Sequence, residues 1–364
     1  MTNRIKIIDG IRGIAILLVI AYHYVFGNAV LDSPLANKLI KFLNLGWSGV
    51  DLFFVLSGFL IVGILLDSKG SNTYFSTFYI RRGLRILPLY YILLLLYLIL
   101  PEFILNDDLF KDSVPFWSYL SFTQNFFMIR HNFGLGWIAI TWSLAVEEQF
   151  YLLLPALIWK LDKKNLVYTF LVLITLAPII CLYFSGLGGY IFPLARSNSI
   201  LMGGLLSIAY REKHIKSLLI EHQKIIITLL FMFLVGAGVI ILKEIGAPGS
   251  TFTQLWLGIL YTLFLATCTL FPNKILSSLI ENPILIWFGT RSYSIYLFHL
   301  FFLKFSHYFI LEKYSTEFTN WNELYVTLIA FALTLIAAEV SFRYFESIFL
   351  TFGKRFQYKT EKIS

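Results

Sequence analysis

The stretch "IRGIAILLVIAYHYVF", residues 11–26, has the length and apolarity of a membrane-crossing helix, yet it carries Arg12 and His23. A charge at the bilayer centre costs about 2.5–3.5 kcal/mol on insertion scales, so an ionisable residue there marks a function or a buried partner. His23 follows Arg12 by eleven residues. On an α-helix that is three turns plus about 20°, which sets both on one face, about 16 Å apart along the axis. Whatever stands beside them has to come from other segments.

The rest of the chain supports the membrane reading. Of its 364 residues, 58% are hydrophobic and 14% charged, a balance that excludes a pair of ordinary soluble domains. The net charge of +8 does not call for nucleic acid, because basic residues retained in cytoplasmic loops produce the same excess. Cys181 and Cys268 both lie in apolar segments, which reads as two inert buried thiols without a disulfide framework. No metal site is expected. Arg4 and Lys6 precede the first apolar run in the manner of a signal peptide. Asp9, Arg12 and His23 interrupt that run and no small-residue cleavage site follows, so it is read as a retained first span.

Ten stretches are long enough to cross a bilayer, near 8–27, 47–66, 79–101, 137–159, 165–184, 193–210, 223–242, 253–271, 282–304 and 324–349. The expected fold is therefore an all-α polytopic membrane protein with ten helices in one bundle. Ten spans put both termini on one side, and that side collects 20 of the 29 lysines and arginines against 8 opposite, with Arg291 inside the ninth span. By the positive-inside rule the termini are cytoplasmic. Residues 1–350 read as one membrane domain and 351–364 as a short basic cytoplasmic tail. The external connection 102–136 carries Glu102, Asp107, Asp108 and Asp112 among aromatics such as Phe116, Trp117, Phe126 and Phe127, and is expected to fold onto the membrane face.

Further polar residues interrupt the apolar runs. In "TWSLAVEEQFY", 141–151, Glu147 and Glu148 point about 100° apart and cannot face one cavity together. Ser143, Glu147 and Tyr151 share an i, i+4, i+8 stripe, which selects Glu147 as the functional carboxylate. At similar depth on another helix it could orient His23 and stabilise its protonated form; a plain interhelical hydrogen bond is the alternative for either residue. In "YIRRGLRILPLYY", 79–91, Arg82 and Arg85 project together at i, i+3, and Arg81 lies at i, i+4 from Arg85. Such guanidiniums suit phosphate, although the positive-inside rule alone would place basic residues here.

In "GWSGVDLFFVLSGFLI", 46–61, Ser48 and Asp51 have capping-box spacing, so Asp51 reads as a helix start or as chemistry, and Ser57 with Gly58 as a close-packing pair. Arg196 and His299 fall toward the external ends of their spans, where they either bind a polar acceptor or sit at the interface.

Taken in order, Arg12 with His23, "FFVLSGFLI", Arg82-x-x-Arg85, "WSLAVEEQFY" and "SYSIYLFH" resemble the acyltransferase-3 family of membrane O-acyltransferases, from about residue 6 to 346. The resemblance implies ten transmembrane helices and transfer of an acyl group, often acetyl from acetyl-CoA, to hydroxyls of extracytoplasmic glycans or small molecules. It makes His23 the catalytic residue, as general base or acyl carrier, and Glu147 its carboxylate, with Ser143, Tyr151 and Trp142 supporting. Arg82 and Arg85 become the acyl-donor contacts, with Arg12 assisting. Asp51, Arg196 and His299, with the 102–136 loop, are acceptor-side candidates.

Two departures stand out. Where the family often ends its last span with Glu-x-Pro, this chain has Glu346, Ser347 and Ile348. It is also expected to lack the C-terminal hydrolase-like domain of some members, and so to complete transfer alone or hand the acyl group to a partner. The partners expected are acyl-CoA as donor substrate, with no permanently bound cofactor, a glycan or other hydroxyl acceptor, the lipid bilayer of a bacterial inner membrane, and a second copy or a glycan-assembly protein. No nucleic acid is expected. The rival reading is a proton-coupled transporter or flippase, in which His and Glu relay protons; it calls for repeated halves and broken helices, and no repeat is visible.

Overall fold

The computed structural model describes residues 2–26, 44–103, 112–242, 250–271, 273–313, 315–317 and 319–359. Among these every regular element is helical. In chain order the longer helices are α1 (Thr2–Ala21), α2 (Gly49–Ser68) and α3 (Tyr74–Ile99), followed by the short α4 (Phe116–Leu120) and α5 (Gln124–His131). Next come α6 (Thr141–Lys160), α7 (Lys163–Phe184), α8 (Gly186–Ile191), α9 (Ser197–Arg211), α10 (Lys213–Glu221) and α11 (Gln223–Leu242). The chain continues through α12 (Thr251–Leu270), α13 (Lys274–Ile280), α14 (Pro283–Thr290), α15 (Ser292–Leu311), α16 (Trp321–Ser341) and α17 (Ser347–Gly353). Single π turns extend α1 at Tyr22–Phe26 and follow α16 at Phe342–Glu346.

The protein is an all-α polytopic membrane protein, but the described residues do not supply ten spans of sufficient length and apolarity. Seven helices qualify, or eight if α10 and α11, bent by 70° at their junction, count as one. Two expected spans account for the difference. The expected 137–159 span is α6, which carries Glu147, Glu148 and Lys160. The expected 193–210 span is α9, only 15 residues long and buried over much of its length. A helix surrounded by protein is released from the length and apolarity that lipid imposes.

The expected 282–304 span is also redrawn. Asn282 caps α14 through the Ile284 amide, Pro283 opens it, and the helix breaks at Arg291 before α15 starts. Arg291 thus sits at a junction, paired with Glu339 of α16 and stacked on Trp287 and Phe342.

Small residues bring the central helices together. A Cβ at Gly58 would fall 1.7 Å from the Ile200 carbonyl oxygen, and one at Gly203 would fall 2.0 Å from that of Val55, so α2 and α9 touch backbone to backbone. Gly58 therefore has the packing role its sequence context implied. The same device joins α1 to α14, where a Cβ at Gly289 would meet the Asp9 carbonyl oxygen at 1.7 Å.

The described part of the connection, residues 112–136, packs on the bundle. The Asp112 carboxylate gathers it, accepting from the Val114 amide at 2.9 Å, the Leu135 amide at 3.2 Å and the Tyr119 hydroxyl at 2.6 Å. Burial and that carboxylate hold the Tyr119 phenol well above the ordinary tyrosine range. Asp107, Asp108 and the side chain of Glu102 lie outside the described residues.

The expected basic tail is docked as far as Lys359. Its carbonyls accept from the Asn72 amide at 3.0 Å and from Thr73 Oγ1 at 2.9 Å, and Arg81 Nε donates to the Phe356 carbonyl at 2.6 Å. Arg81, stacked on Tyr358, therefore serves this contact and does not join Arg82 and Arg85.

Candidate functional site

Four helices converge on a cavity of about 450 Å3. From α1 come Asp9 and Arg12, from α2 Phe53 and Ser57, from α3 Arg82 and Arg85, and from α6 Ser143, Glu147 and Tyr151. The 143–147–151 stripe predicted from spacing is thus one wall of the chamber. Glu148 points elsewhere, as the 100° step requires, and its buried Oε1 has no hydrogen-bond partner among the described residues. Helix α15 closes the space with Ser292, Tyr293 and Tyr296.

Within the cavity the Ser57 and Tyr151 hydroxyls meet at 2.5 Å, beside the Glu147 carboxylate, on which Arg82 and Arg12 also act. The Arg82 guanidinium stacks 5.3 Å from the centre of the Tyr151 ring. Arg12 donates to Ser292 Oγ at 2.8 Å and lies 3.7 Å from Asp9. Ser143 and Tyr296 share a 2.6 Å hydroxyl contact, and the Tyr296 hydroxyl also donates to the Ile140 carbonyl at 3.0 Å.

The arginines differ in their partners. Arg12, Arg196, Arg211, Arg291 and Arg343 each lie within 4 Å of a carboxylate. Arg82 and Arg85, half-buried and lining the cavity, make no ion pair among the described residues. Two guanidiniums that make no direct ion pair, with Asp9 and Glu147 beside them in a concave, partly apolar site, favour an anionic ligand.

His23 is placed differently from the sequence expectation. It sits on the π turn that follows α1, so the phase of a uniform α-helix does not carry through to it. Its Nδ1 donates to the Val19 carbonyl at 2.9 Å and lies 3.3 Å from His299 Nε2, with the two rings 4.9 Å apart. The histidine pair stands behind Tyr296, whose ring is 5.7 Å from that of His299. The structure therefore groups Glu147 with the arginines and sets His23 against His299.

Asp51 and Arg196, expected on an external acceptor face, are fully enclosed and form a 2.9 Å ion pair. Ser199 Oγ donates to the same Asp51 oxygen at 3.2 Å. The rings of Phe54, Trp142 and Tyr190 surround the guanidinium at 5.2, 5.8 and 5.1 Å. Trp142 thus packs on Arg196 and does not line the cavity. The capping-box reading of Ser48 and Asp51 does not hold. The Ser48 hydroxyl donates to the Leu45 carbonyl at 2.6 Å and meets Tyr261 Oη at 2.5 Å, with no side-chain cap on α2. His299 is likewise wholly interior. Asp51→Ala, which strands a buried arginine charge, is expected to destabilise the protein by about 3–5 kcal/mol, checked by thermal melting of purified variant and wild type in the same detergent.

Sequence reading missed Asp9, Ser57 as a polar wall, Tyr296 and Glu346. Asp9 stands three residues before Arg12 and Tyr296 three before His299, spacings that would have flagged both. Glu346, in the second π turn, is 3.1 Å from Ser341 Oγ and acts on Arg85 and Arg12. No group of three or more His, Cys, Asp or Glu that could hold a metal ion occurs among the described residues.

Fold and cavity together define a polytopic membrane protein built around a charged intramembrane chamber. The chain belongs to the acyltransferase-3 family, whose model, described as an acyltransferase domain, matches residues 5–340. It is similar to the peptidoglycan O-acetyltransferase OatA of Listeria monocytogenes serovar 1/2a, with 30% identity over 93% of this chain and 55% of that protein. It is also similar to the O-acetyltransferase OatA of Staphylococcus aureus strain NCTC 8325, with 27% identity over 93% of this chain and 56% of that protein. The chain thus spans about half the length of the curated relatives it matches. No solved structure matches it.

Proposed function

We propose that this protein is a membrane O-acetyltransferase that takes an acetyl group from acetyl-CoA and esterifies a hydroxyl of a cell-surface glycan. The observation that carries the reading is the pair Arg82 and Arg85, in no direct ion pair among the described residues and lining a cavity that also holds Glu147. Phosphate groups of CoA are the anions whose geometry suits them, because a guanidinium donates to phosphate in pairs. Family membership supports the acyl-transfer chemistry, and the name of the Listeria relative supports a peptidoglycan hydroxyl as acceptor. On this reading the arginines face the cytoplasm of a bacterium, as the distribution of basic residues favours.

The step needs one base. The unprotonated nitrogen of His23 removes the proton of the acceptor hydroxyl as its oxygen attacks the thioester carbonyl. The new C–O bond forms, the C–S bond breaks, and CoA leaves as a thiolate that takes the proton back from His23. Glu147, held by Ser57 and Tyr151, balances the arginine charge and orients the donor.

The test is thiol release and label transfer by the purified protein in lipid nanodiscs, given acetyl-CoA labelled in the acetyl group and isolated peptidoglycan strands. The expected result is glycan that carries alkali-labile label. If no acetyl-CoA is consumed and labelled CoA does not bind, the reading is wrong.

A further inference from the structure

We propose that His299 is the positioning partner of His23, a neutral second imidazole that fixes the first in the tautomer a base requires and receives a hydrogen bond from it once it is protonated. This rests on the reading of His23 as the base.

A carbonyl oxygen can only accept, so the 2.6 Å contact between His299 Nδ1 and the Tyr296 carbonyl puts the hydrogen on Nδ1. In the neutral ring that leaves His299 Nε2 as a lone pair. The same logic applies to His23, whose Nδ1 faces the Val19 carbonyl at 2.9 Å and therefore carries the hydrogen. That N–H also lies 3.3 Å from the His299 Nε2 lone pair, a shared bond to two acceptors. In the neutral ring His23 Nε2 is therefore the unprotonated nitrogen.

The arrangement does the work usually given to a carboxylate without burying a second charge. When His23 gains a proton at Nε2, its Nδ1–H becomes a stronger donor, and both acceptors are already within reach. His299 neither gains nor loses a proton. Its own position is fixed on both sides, since the Tyr24 hydroxyl donates to the His299 carbonyl at 2.8 Å and meets Thr334 Oγ1 at 2.8 Å. Tyr296 links the pair to the cavity, because it lines the chamber with its side chain and orients His299 with its carbonyl. A single turn of α15 thus couples the donor chamber to the base.

The experiment compares wild type with His299→Leu, His299→Gln and His299→Asn in nanodiscs, measuring kcat and KM for acetyl-CoA with peptidoglycan strands as acceptor. Gln places an oxygen where Nε2 stands, whereas Asn reaches only as far as Nδ1. The expected result is a fall in kcat of about 10–100-fold for Leu with KM within about twofold, recovery of most of it by Gln, and little by Asn. Wild-type kcat in His299→Leu, or a His299→Asn variant as active as His299→Gln, overturns the proposal, and the Gln and Asn comparison decides even where the Leu variant does not fold. His23→Ala assayed in parallel separates the two readings. If it turns over normally, the base assignment fails; if it is inactive while His299→Leu is not, only the pairing fails.

Discussion

Replacing His23 with alanine is expected to lower acetyl transfer by about 10²–10⁴-fold, the range that a positioned general base supplies, while acetyl-CoA still binds. The separation follows from geometry. The groups offered to the donor, Arg12, Arg82, Arg85 and Glu147, line the cavity, whereas His23 stands behind Tyr296 against His299. Removing the imidazole leaves those groups in place. The change also leaves the His299 Nε2 lone pair without its N–H and opens a small cavity, so thermal melting of the variant in the same detergent is needed beside the rate. The check is a steady-state comparison of kcat and KM together with equilibrium binding of labelled CoA. A variant that transfers at the normal rate would sink the base assignment, and one that has lost CoA binding would move His23 into the donor site.

The sequence disclosed the chamber better than it disclosed the bundle. Ser143, Glu147 and Tyr151 were legible because helix periodicity is local: once 141–160 is helical, the face they share is settled. The Arg82 and Arg85 pair was legible for the same reason. What escaped was set by contacts between distant segments. Arg196 and Asp51 are far apart in the chain, and nothing in either motif announces that α2 and α9 meet through Gly58 and Gly203 closely enough to seal an ion pair between them. The His23 partner was missed because a π turn redirects the ring, and no composition rule marks such a turn. The spans at α6 and α9 do not meet the length and apolarity of the others, α6 because of its carboxylates and α9 because it is short and mostly surrounded by protein.

Arg85→Ala is expected to raise the KM for acetyl-CoA by about 10–100-fold and to leave kcat within a few-fold, since a charge-assisted hydrogen bond contributes roughly 1.5–3 kcal/mol and acts here on a part of the substrate remote from the reacting carbonyl. Arg82→Ala should add a second loss, because its guanidinium also stacks on Tyr151, whose hydroxyl stands beside Glu147. Its effect should therefore reach kcat as well as KM. Arg85→Lys should recover only part of the affinity, as an ammonium gives a point charge where a planar fork can donate twice. The comparison is sharp because two arginines outside the cavity are matched by a carboxylate: Arg291 and Arg343 share Glu339. Changing those should cost stability and leave the acetyl-CoA requirement alone. If Arg82→Ala and Arg85→Ala instead melt the protein and keep the wild-type KM, these two residues are structural like the rest, and the donor site must be sought elsewhere.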